Sequence, residues 1–270
     1  MKDRLRAFWL AGCMLALLLG AYHGWLMTEL ASAEEENLFA LPASGDGFSI
    51  EVIGVQTPAP PKRVLIYHTH TYEAFEKGQA DYKETEKWRT ADSAYNVVRV
   101  GQELTALLRS LGVEVVHDTT AFEPPDLGGA YARSLSMLER RKAAGERYDL
   151  YIDLHRDAAA SSGANCVSIG GMDTARLMLL IGKGEGYTDQ GYDQRPDWEG
   201  NLAIAKAVTA SLNQQAQGLG REVCVKPGRF NQHVADACVL VEAGNNLNTL
   251  EQVLSAMPYL ADAIAEWLRE

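Results

Sequence analysis

The sequence is poor in cysteine and lacks the usual signatures of a nucleophilic enzyme. Its 270 residues include four cysteines, namely Cys13, Cys166, Cys224 and Cys238, and none of them forms a CxxC pair. No GxSxG motif is present, and no cysteine lies in a recognisable Cys/His signature. These absences disfavour a disulfide framework, a structural zinc ribbon and a hydrolase built on a nucleophile elbow.

Basic charge is also scarce. The 25 Lys and Arg residues are outnumbered by 36 Asp and Glu residues, which gives a formal net charge of −11. Because affinity for a phosphate backbone comes from clustered Lys and Arg, we expect no nucleic-acid partner. Hydrophobic residues make up 47% of the chain, enough for a packed core, and the length suits one medium-sized domain with a tether.

A long apolar run occupies residues 7–27, behind Lys2, Arg4 and Arg6. About 20 apolar residues span a bilayer core, and the flanking cations stay on the cytoplasmic side. We therefore predict a single-pass membrane anchor over residues 1–33, a linker over residues 34–62 and an extracytoplasmic folded domain over residues 63–270. A signal peptide cleaved near residue 33 is the alternative, although the apolar run exceeds a usual signal core.

From residue 63 onward, short apolar runs alternate with helical patterns. This alternation is typical of an α/β fold with a mostly parallel sheet flanked by helices. The predicted strands cover residues 64–67, 113–117, 150–154, 166–169, 177–181 and 237–241, with one more short strand at 48–55 in the linker. The predicted helices are one capped by Ser93 and stopped by Gly112, and others over residues 131–144, 199–216 and 249–268.

Polar clusters follow three of the predicted strands, where ligands bind in open α/β sheets. After the first strand, His70 and Glu73 have HxxE spacing, which lets an imidazole and a carboxylate reach one divalent ion. After the strand at 150–154, the sequence DLHRD contains His155 between Asp153 and Asp157, whose carboxylates can hold the tautomer of the ring.

The third cluster places Glu242 at the end of a strongly apolar strand. A carboxylate there is costly to desolvate unless it meets a cation, a proton or hydrogen-bond donors. Together the clusters predict His70, Glu73 and His155 as ligands of Zn²⁺ with one open position, and Glu242 as a general base. This arrangement is typical of a zinc-dependent hydrolase.

Several segments occur in an order and spacing that resemble the stage II sporulation protein P family. They are IYHTHTYEAF, YNVVRVG, YIDLHRDA, FNQH and VLVEAGNNLNTLEQ. That family is similar to zinc-dependent N-acetylmuramoyl-L-alanine amidases, which cut peptidoglycan between the lactyl group of muramic acid and L-alanine. The resemblance implies a phosphorylase/hydrolase-like fold and a membrane-anchored peptidoglycan hydrolase with amidase and endopeptidase activity in engulfment. It also implies stage II sporulation proteins D and M as partners.

The resemblance implies metal-binding roles for His70 and His155 and a catalytic role for Glu242. Only one of His68 and His70 is expected to face the metal, and we favour His70 because it lies further along the chain. In the wider amidase pattern the bridging glutamate begins the next helix, where residues 93–96 contain none. We favour Glu73 as this ligand. The other acids left open are Glu76, Glu84, Glu86 and Asp92.

Three further residues are predicted to bind substrate. Asn231 and His233 are expected to shape the cleft or support Glu242, with His233 an alternative oxyanion donor, and Arg156 to bind a stem-peptide carboxylate or form a structural ion pair. Two other functions compete with the amidase. One is a non-catalytic cell-wall-binding or scaffold protein with the same fold, and the other is a zinc carboxypeptidase acting on free peptides.

Overall fold

The computed structural model describes residues 60–78, 82–158, 165–185 and 194–270. Strands and helices alternate along this part of the chain. The strands are β1 (Arg63–Tyr67), β2 (Glu114–His117), β3 (Leu150–Asp157), β4 (Cys166–Ile169), β5 (Met172–Ala175), β6 (Leu177–Gly182), β7 (Cys224–Lys226) and β8 (Cys238–Asn245). The helices are α1 (Val97–Ser110), α2 (Ala130–Ala143), α3 (Trp198–Gln215), α4 (Leu250–Leu254) and α5 (Met257–Arg269).

Six strands form the main sheet in the order β2-β1-β3-β8-β6-β7. Neighbouring strands run parallel except β6 and β8, which are antiparallel. The central strands β1 and β3 are almost completely buried because both faces of a largely parallel sheet are covered. The predicted α/β fold with a mostly parallel, helix-flanked sheet is confirmed.

The two faces of the sheet are packed differently. On one face, alternate residues such as Val64, Ile66 and Ile152 join the larger hydrophobic core, to which α1, α3 and α5 contribute. On the other face, Leu65 and Tyr67 join a smaller core to which α2 contributes. This division follows from the two-residue period of a strand, which sends successive side chains to opposite faces.

Two details of the helices differ from the sequence prediction. The cap of α1 is Asn96, not the exposed Ser93, since the extended backbone at Asn96 lets its side chain accept a hydrogen bond from the Val98 amide. The single helix predicted over residues 249–268 is two helices, α4 and α5, because Pro258 in the first turn of α5 has no N–H to continue the earlier helix. The predicted stop at Gly112, with φ +84°, is confirmed.

Several strands also differ from their predicted extent. Strand β3 continues to Asp157 and β8 to Asn245, so His155 and Glu242 lie within strands rather than beyond them. The predicted strand at 166–169 is β4, which pairs with β5 in a separate two-stranded sheet. Strands β5 and β7 lack the short apolar runs by which the other strands were predicted, and the sequence analysis missed both.

The predicted anchor at residues 7–27, its cleavage alternative and the strand at 48–55 lie outside the described residues. In the part of the chain that the structure describes, no helix combines the length and apolar character needed to cross a membrane.

Candidate metal centre

Three adjacent strands carry the candidate site. His70 follows the end of β1, His155 lies in β3, and Glu242 lies in β8. His155 and Glu242 are paired in register across β3 and β8, so their side chains lie next to each other on one face of the sheet. This is the face with the smaller hydrophobic core.

The two predicted histidine ligands are in contact. The ring centroids of His70 and His155 are 5.2 Å apart, and the rings are nearly perpendicular, at 89°. On its other side the His70 ring meets the edge of Tyr131 from α2, with 5.4 Å between centroids. His155 is buried, whereas His70 is partly exposed, so the site reaches solvent on the His70 side.

Glu73 joins these histidines through a turn after β1. The Glu73 amide donates to the His70 carbonyl, and the Glu73 carbonyl accepts from the Val97 amide at the start of α1. The turn leaves the Glu73 carboxylate buried, with one oxygen 3.3 Å from His155 Nδ1 and 3.1 Å from the Arg156 amide. Glu73 is therefore the acid that the structure brings to the two histidines.

The other acids left open by the sequence are on the surface and have other contacts. Glu76 accepts a hydrogen bond from the Trp88 indole, and Glu84 accepts one from the Trp88 amide. Glu86 lies near Arg89, and Asp92 accepts from the Ala94 amide within its own turn.

The structure also separates His68 from His70. Strand β1 ends at Tyr67 and the chain then turns, so the two histidines do not share a strand face. The His68 ring is fully buried and bonds His117 and the Leu154 carbonyl, away from Glu73. His70, the favoured residue, is the one beside His155.

Asp153 and Glu73 flank the His155 ring. His155 Nε2 lies 2.9 Å from an Asp153 oxygen, and Asp153 is held in turn by the amide and hydroxyl of Thr69. Burial lowers the pKa of His155, but the two carboxylates outweigh it and raise the pKa well above its usual value. Of the two acids predicted to flank His155, Asp153 is confirmed as a neighbour, whereas Asp157 pairs with Arg221 at 2.7 Å.

Glu73 and His70 have shifted pKa values as well. Burial alone would raise the pKa of Glu73, yet the His155 ring and the Arg156 guanidinium outweigh it and lower the pKa to about 2. Burial, together with the neighbouring His155, lowers the pKa of His70 to about 4. At neutral pH Glu73 is thus ionised and His70 is neutral, which are the forms that ligate metals, whereas His155 holds a proton that it must release to bind one.

Glu242 is buried beside this cluster, and no Lys or Arg among the described residues forms an ion pair with it. Burial raises the pKa of its carboxyl group to about 7. Its Oε2 atom makes no hydrogen bond with any described residue, and neither does the buried Nδ1 atom of His70. Such orphaned buried atoms are costly, and a bound cation or water would satisfy them.

The donor set fits a zinc ion in its chemistry. Two imidazoles and a carboxylate lie together, with Glu242 available beside them, as in a hydrolytic zinc site. Among the described residues, no three His, Cys, Asp or Glu side chains are arranged to hold a metal as they stand. His155 Nδ1 lies 3.3 Å from a Glu73 oxygen and Nε2 lies 2.9 Å from an Asp153 oxygen, but the buried Nε2 atom makes no hydrogen bond with any described residue, so a bound cation would satisfy it.

The three residues predicted to bind substrate have contacts within the protein. The Arg156 guanidinium donates to the carbonyls of Ala74 and Trp88 and lies 4.0 Å from Glu73, which is the structural ion pair left open by the sequence. Asn231, in a left-handed conformation with φ +55°, is buried and donates to the Tyr131 carbonyl.

The remaining one of the three, His233, is half-buried. Burial and the cations of Arg229 and Lys142 lower its pKa to about 4, and the acids of the candidate site are not among the groups that shift it. A substrate-binding role for any of the three stays a prediction.

Sequence reasoning missed Glu123, Arg89 and Tyr131, which lie at the edge of the site. Glu123 Oε1 lies 3.7 Å from His70 Nδ1, and Glu123 is ion-paired with Arg89. Tyr131 covers His70, and its own ring meets Phe230 with 5.9 Å between centroids. No motif connects these residues, because each comes from a different loop or helix.

Comparison with known proteins places this sequence in a family. The sequence model of stage II sporulation protein P matches residues 28–265. Stage II sporulation protein P of Bacillus subtilis (strain 168) is 28% identical over 225 residues, which are 78% of this chain and 52% of the relative. The chain thus spans about half the length of the curated relative that it matches.

Two solved structures show a weak similarity. N-acetylmuramoyl-L-alanine amidase AmiC2 of Nostoc punctiforme is 16% identical, with a TM-score of 0.43, over 77% of this chain and 98% of that one. The catalytic domain of the CD27L endolysin targeting Clostridia difficile is 14% identical, with a TM-score of 0.46, over 77% of this chain and 97% of that one. These scores carry no argument about function. On the family match over most of its length, the chain belongs to the stage II sporulation protein P family.

Proposed function

We propose that this protein is a zinc-dependent peptidoglycan hydrolase of the N-acetylmuramoyl-L-alanine amidase type that acts in sporulation. The observation that carries the proposal is the convergence of His70, Glu73 and His155, with Glu242 in register beside His155. Membership of the family supports the setting in sporulation. The match to half of its curated relative leaves the activity of the whole protein a matter for experiment.

His70, Glu73 and His155 are the proposed zinc ligands. When bound there, zinc would polarise the scissile carbonyl and lower the pKa of a water molecule towards about 7. The buried Nε2 atom of His155 makes no hydrogen bond with any described residue and is available to a metal. The buried and orphaned His70 Nδ1 shows that this ring has a nitrogen to spare for a ligand.

Glu242 is the proposed general base. Its carboxylate takes a proton from the attacking water as the oxygen bonds to the amide carbon. It then passes that proton to the amide nitrogen as the carbon–nitrogen bond breaks, leaving a carboxylic acid and a free amine. A pKa of about 7, raised by burial, lets one group accept and then release a proton near neutral pH.

Several neighbours hold these groups in place. The Arg156 amide and guanidinium keep the Glu73 carboxylate beside His155, and Thr69 holds Asp153 next to the same ring. Tyr131 covers one side of His70, so the substrate approaches from the exposed side of that ring. Each of these contacts limits where the reacting groups can move.

Further parts of the proposal rest on the sequence and the family resemblance. The apolar run at residues 7–27 supports a membrane anchor that leaves the catalytic domain outside the cytoplasm. Endopeptidase activity, and stage II sporulation proteins D and M as partners, follow from the resemblance. Peptidoglycan is the proposed substrate for both cuts.

Digestion of peptidoglycan by the purified full-length chain tests the proposal. We expect soluble fragments with new L-alanine amino termini, identified by mass spectrometry. The release should stop on chelation, return with zinc, and be absent in His155→Ala. Glu76→Gln is the matched control, because Glu76 is an exposed acid of the same loop as Glu73.

Other products would change the assignment in defined ways. Cuts within the stem peptide alone would make the protein an endopeptidase rather than an amidase. Binding to peptidoglycan without cleavage, in zinc-loaded protein, would favour the non-catalytic cell-wall-binding or scaffold function.

A further inference from the structure

A pair of imidazoles, the buried ring of His68 and the half-buried ring of His117, lies behind the candidate metal centre. His68 is fully buried, and its ring meets that of His117, the last residue of β2, edge to face with centroids 5.1 Å apart. The two Nε2 atoms are 2.8 Å apart. Neither histidine has a role in the proposed reaction, although burying two imidazoles costs more free energy than burying two leucines.

The contacts of the pair determine where its hydrogens lie. His68 Nδ1 is 2.8 Å from the Leu154 carbonyl, which can only accept, so Nδ1 carries the hydrogen. In a neutral ring, His68 Nε2 is then an acceptor, and the hydrogen between the two rings belongs to His117 Nε2. Since the two Nε2 atoms are only 2.8 Å apart, a single hydrogen lies between them.

This chain of hydrogen bonds connects three neighbouring strands. His117 ends β2, His68 directly follows β1, and the Leu154 carbonyl lies in β3 in the peptide that leads to His155. His68 is also two residues before His70. One ring thus bonds the segment that carries the first proposed ligand to the segment that carries the second.

We propose that His68 and His117 are positioning residues that hold His70 and His155 at the separation needed to bind a metal ion. The inference rests on the proposed function, because it assigns those two histidines as ligands. A hydrogen bond between fixed rings is directional, whereas apolar packing alone would let the strand ends slide. The pair therefore limits the relative movement of the two ligand segments.

Gly101 of α1 supports this proposal. A Cβ atom at position 101 would lie 2.6 Å from His117 Nε2 and 2.7 Å from His68 Nε2, the two atoms that share the hydrogen. The helix can cross directly over this hydrogen bond only because residue 101 has no side chain. Glycine within a helix lowers stability by about 1 kcal/mol relative to alanine, so the close approach of α1 to the two histidine rings comes with a loss of helix stability.

Zinc titration of the purified full-length chain tests the proposal. His117→Leu fills the space but has no donor, and we expect its zinc dissociation constant to rise about tenfold or more, the size typical of losing a group that orients a ligand. His117→Gln keeps an N–H donor and should stay within about threefold of wild type. Val115→Ala, a buried change elsewhere on β2, is the control for general loss of stability.

Nitrogen-15 NMR of the histidine rings in wild-type protein provides a test that needs neither a variant nor zinc. We expect hydrogen on Nδ1 of His68 and on Nε2 of His117. The opposite tautomers would overturn the proposal, and so would wild-type zinc affinity in a folded His117→Leu. If wild-type protein with the expected tautomers bound no zinc, the proposed function itself would fail, and the positioning role would fail with it.

Discussion

The two faces of the main sheet share the same strands but differ in chemistry. In β3, Ile152 and Leu154 enter the larger hydrophobic core, while Asp153 and His155 enter the candidate site on the other face. The apolar face contributes most of the buried hydrophobic surface, which is the main stabilising term in folding. The comparison shows that the hydrophobic core on one face supplies most of the favourable free energy of folding. That stabilisation offsets the cost of burying a cluster of ionisable groups on the other face.

The His68–His117 pair is the exception to this division. It lies beneath Gly101 of α1, on the apolar face, and it joins the two ligand segments there, as the Thr69–Asp153 hydrogen bonds do on the other face. Substitutions on each face of the sheet, and in the His68–His117 pair, should therefore have separable effects on the free energy of unfolding and on activity.

Of the changes proposed here, Glu242→Gln should have the largest effect, and it should lower activity without lowering stability. Loss of the general base should lower turnover by roughly 10²- to 10⁴-fold. The amide is uncharged and close in size, so thermal unfolding should change little. Release of new L-alanine amino termini measures turnover, with Glu251→Gln, an exposed acid, as the control. Full turnover in a zinc-loaded variant would contradict the assignment.

Leu104→Ala should have the converse effect on the apolar face. Leu104 is fully buried in α1, so removing its side chain should lower the free energy of unfolding by about 2–5 kcal/mol. Turnover per folded molecule should be retained. Urea unfolding provides the measurement. Leu111→Ala, at a residue 40% exposed, should change the same quantity by roughly 0.5 kcal/mol or less. Equal losses in both variants would contradict the contribution of the buried Leu104 side chain to the core on this face.

Glu73→Gln should weaken zinc binding while Glu76→Gln should not. The new amide oxygen at position 73 would still accept the hydrogen bond from the Arg156 amide, so the local fold should persist, but the charge that attracts the cation is lost. We expect the zinc dissociation constant of the first variant to rise about tenfold or more by calorimetry. The same rise in the Glu76 variant instead would reassign the bridging ligand.

The smallest expected effect is on the pH dependence of stability. Burial lowers the pKa of His117 to about 4, and the nearby cation of Arg109 adds to this while Asp118 opposes it. As the pH is lowered, His117 is therefore protonated near pH 6.5 in the unfolded chain but only near pH 4 in the folded chain. The free energy of unfolding falls as the pH drops from about 6.5 to about 4. His117→Gln removes this contribution.

Urea unfolding at pH 7 and pH 4.5 checks the expectation. The free energy of unfolding should fall less in His117→Gln than in wild type over this interval. An equal fall in both proteins would show that His117 is not protonated on unfolding in this range.

Much of the fold follows from local patterns. Short apolar runs predicted β1, β3, β6 and β8, because strands buried on both faces need a continuous run of hydrophobic residues. The same reasoning predicted that residues following β1 and within β3 and β8 would meet, since these strands end at one edge of the sheet. It failed for β5 and β7, which are short and partly exposed and owe their conformation to their partners.

The bridging acid shows where local reasoning stops. Five acids in residues 73–92 were candidates, and Glu73 lies at the site because the turn after β1 returns the chain to the start of α1. That path depends on hydrogen bonds to residues far along the chain, such as Val97 and Arg156. Arg89 and Glu123 were missed for the same reason, as their ion pair joins two separate loops.

By itself, the sequence determined the order of strands and helices, the set of residues able to bind a metal and the family resemblance, because these depend on residue type and short spacing. The tertiary structure decided that His70 rather than His68 meets His155, that Glu73 is the acid beside them, and that Arg156 is bound within the protein. Those choices depend on which side of the sheet each side chain enters and what it packs against there, and such contacts are made only when distant segments come together.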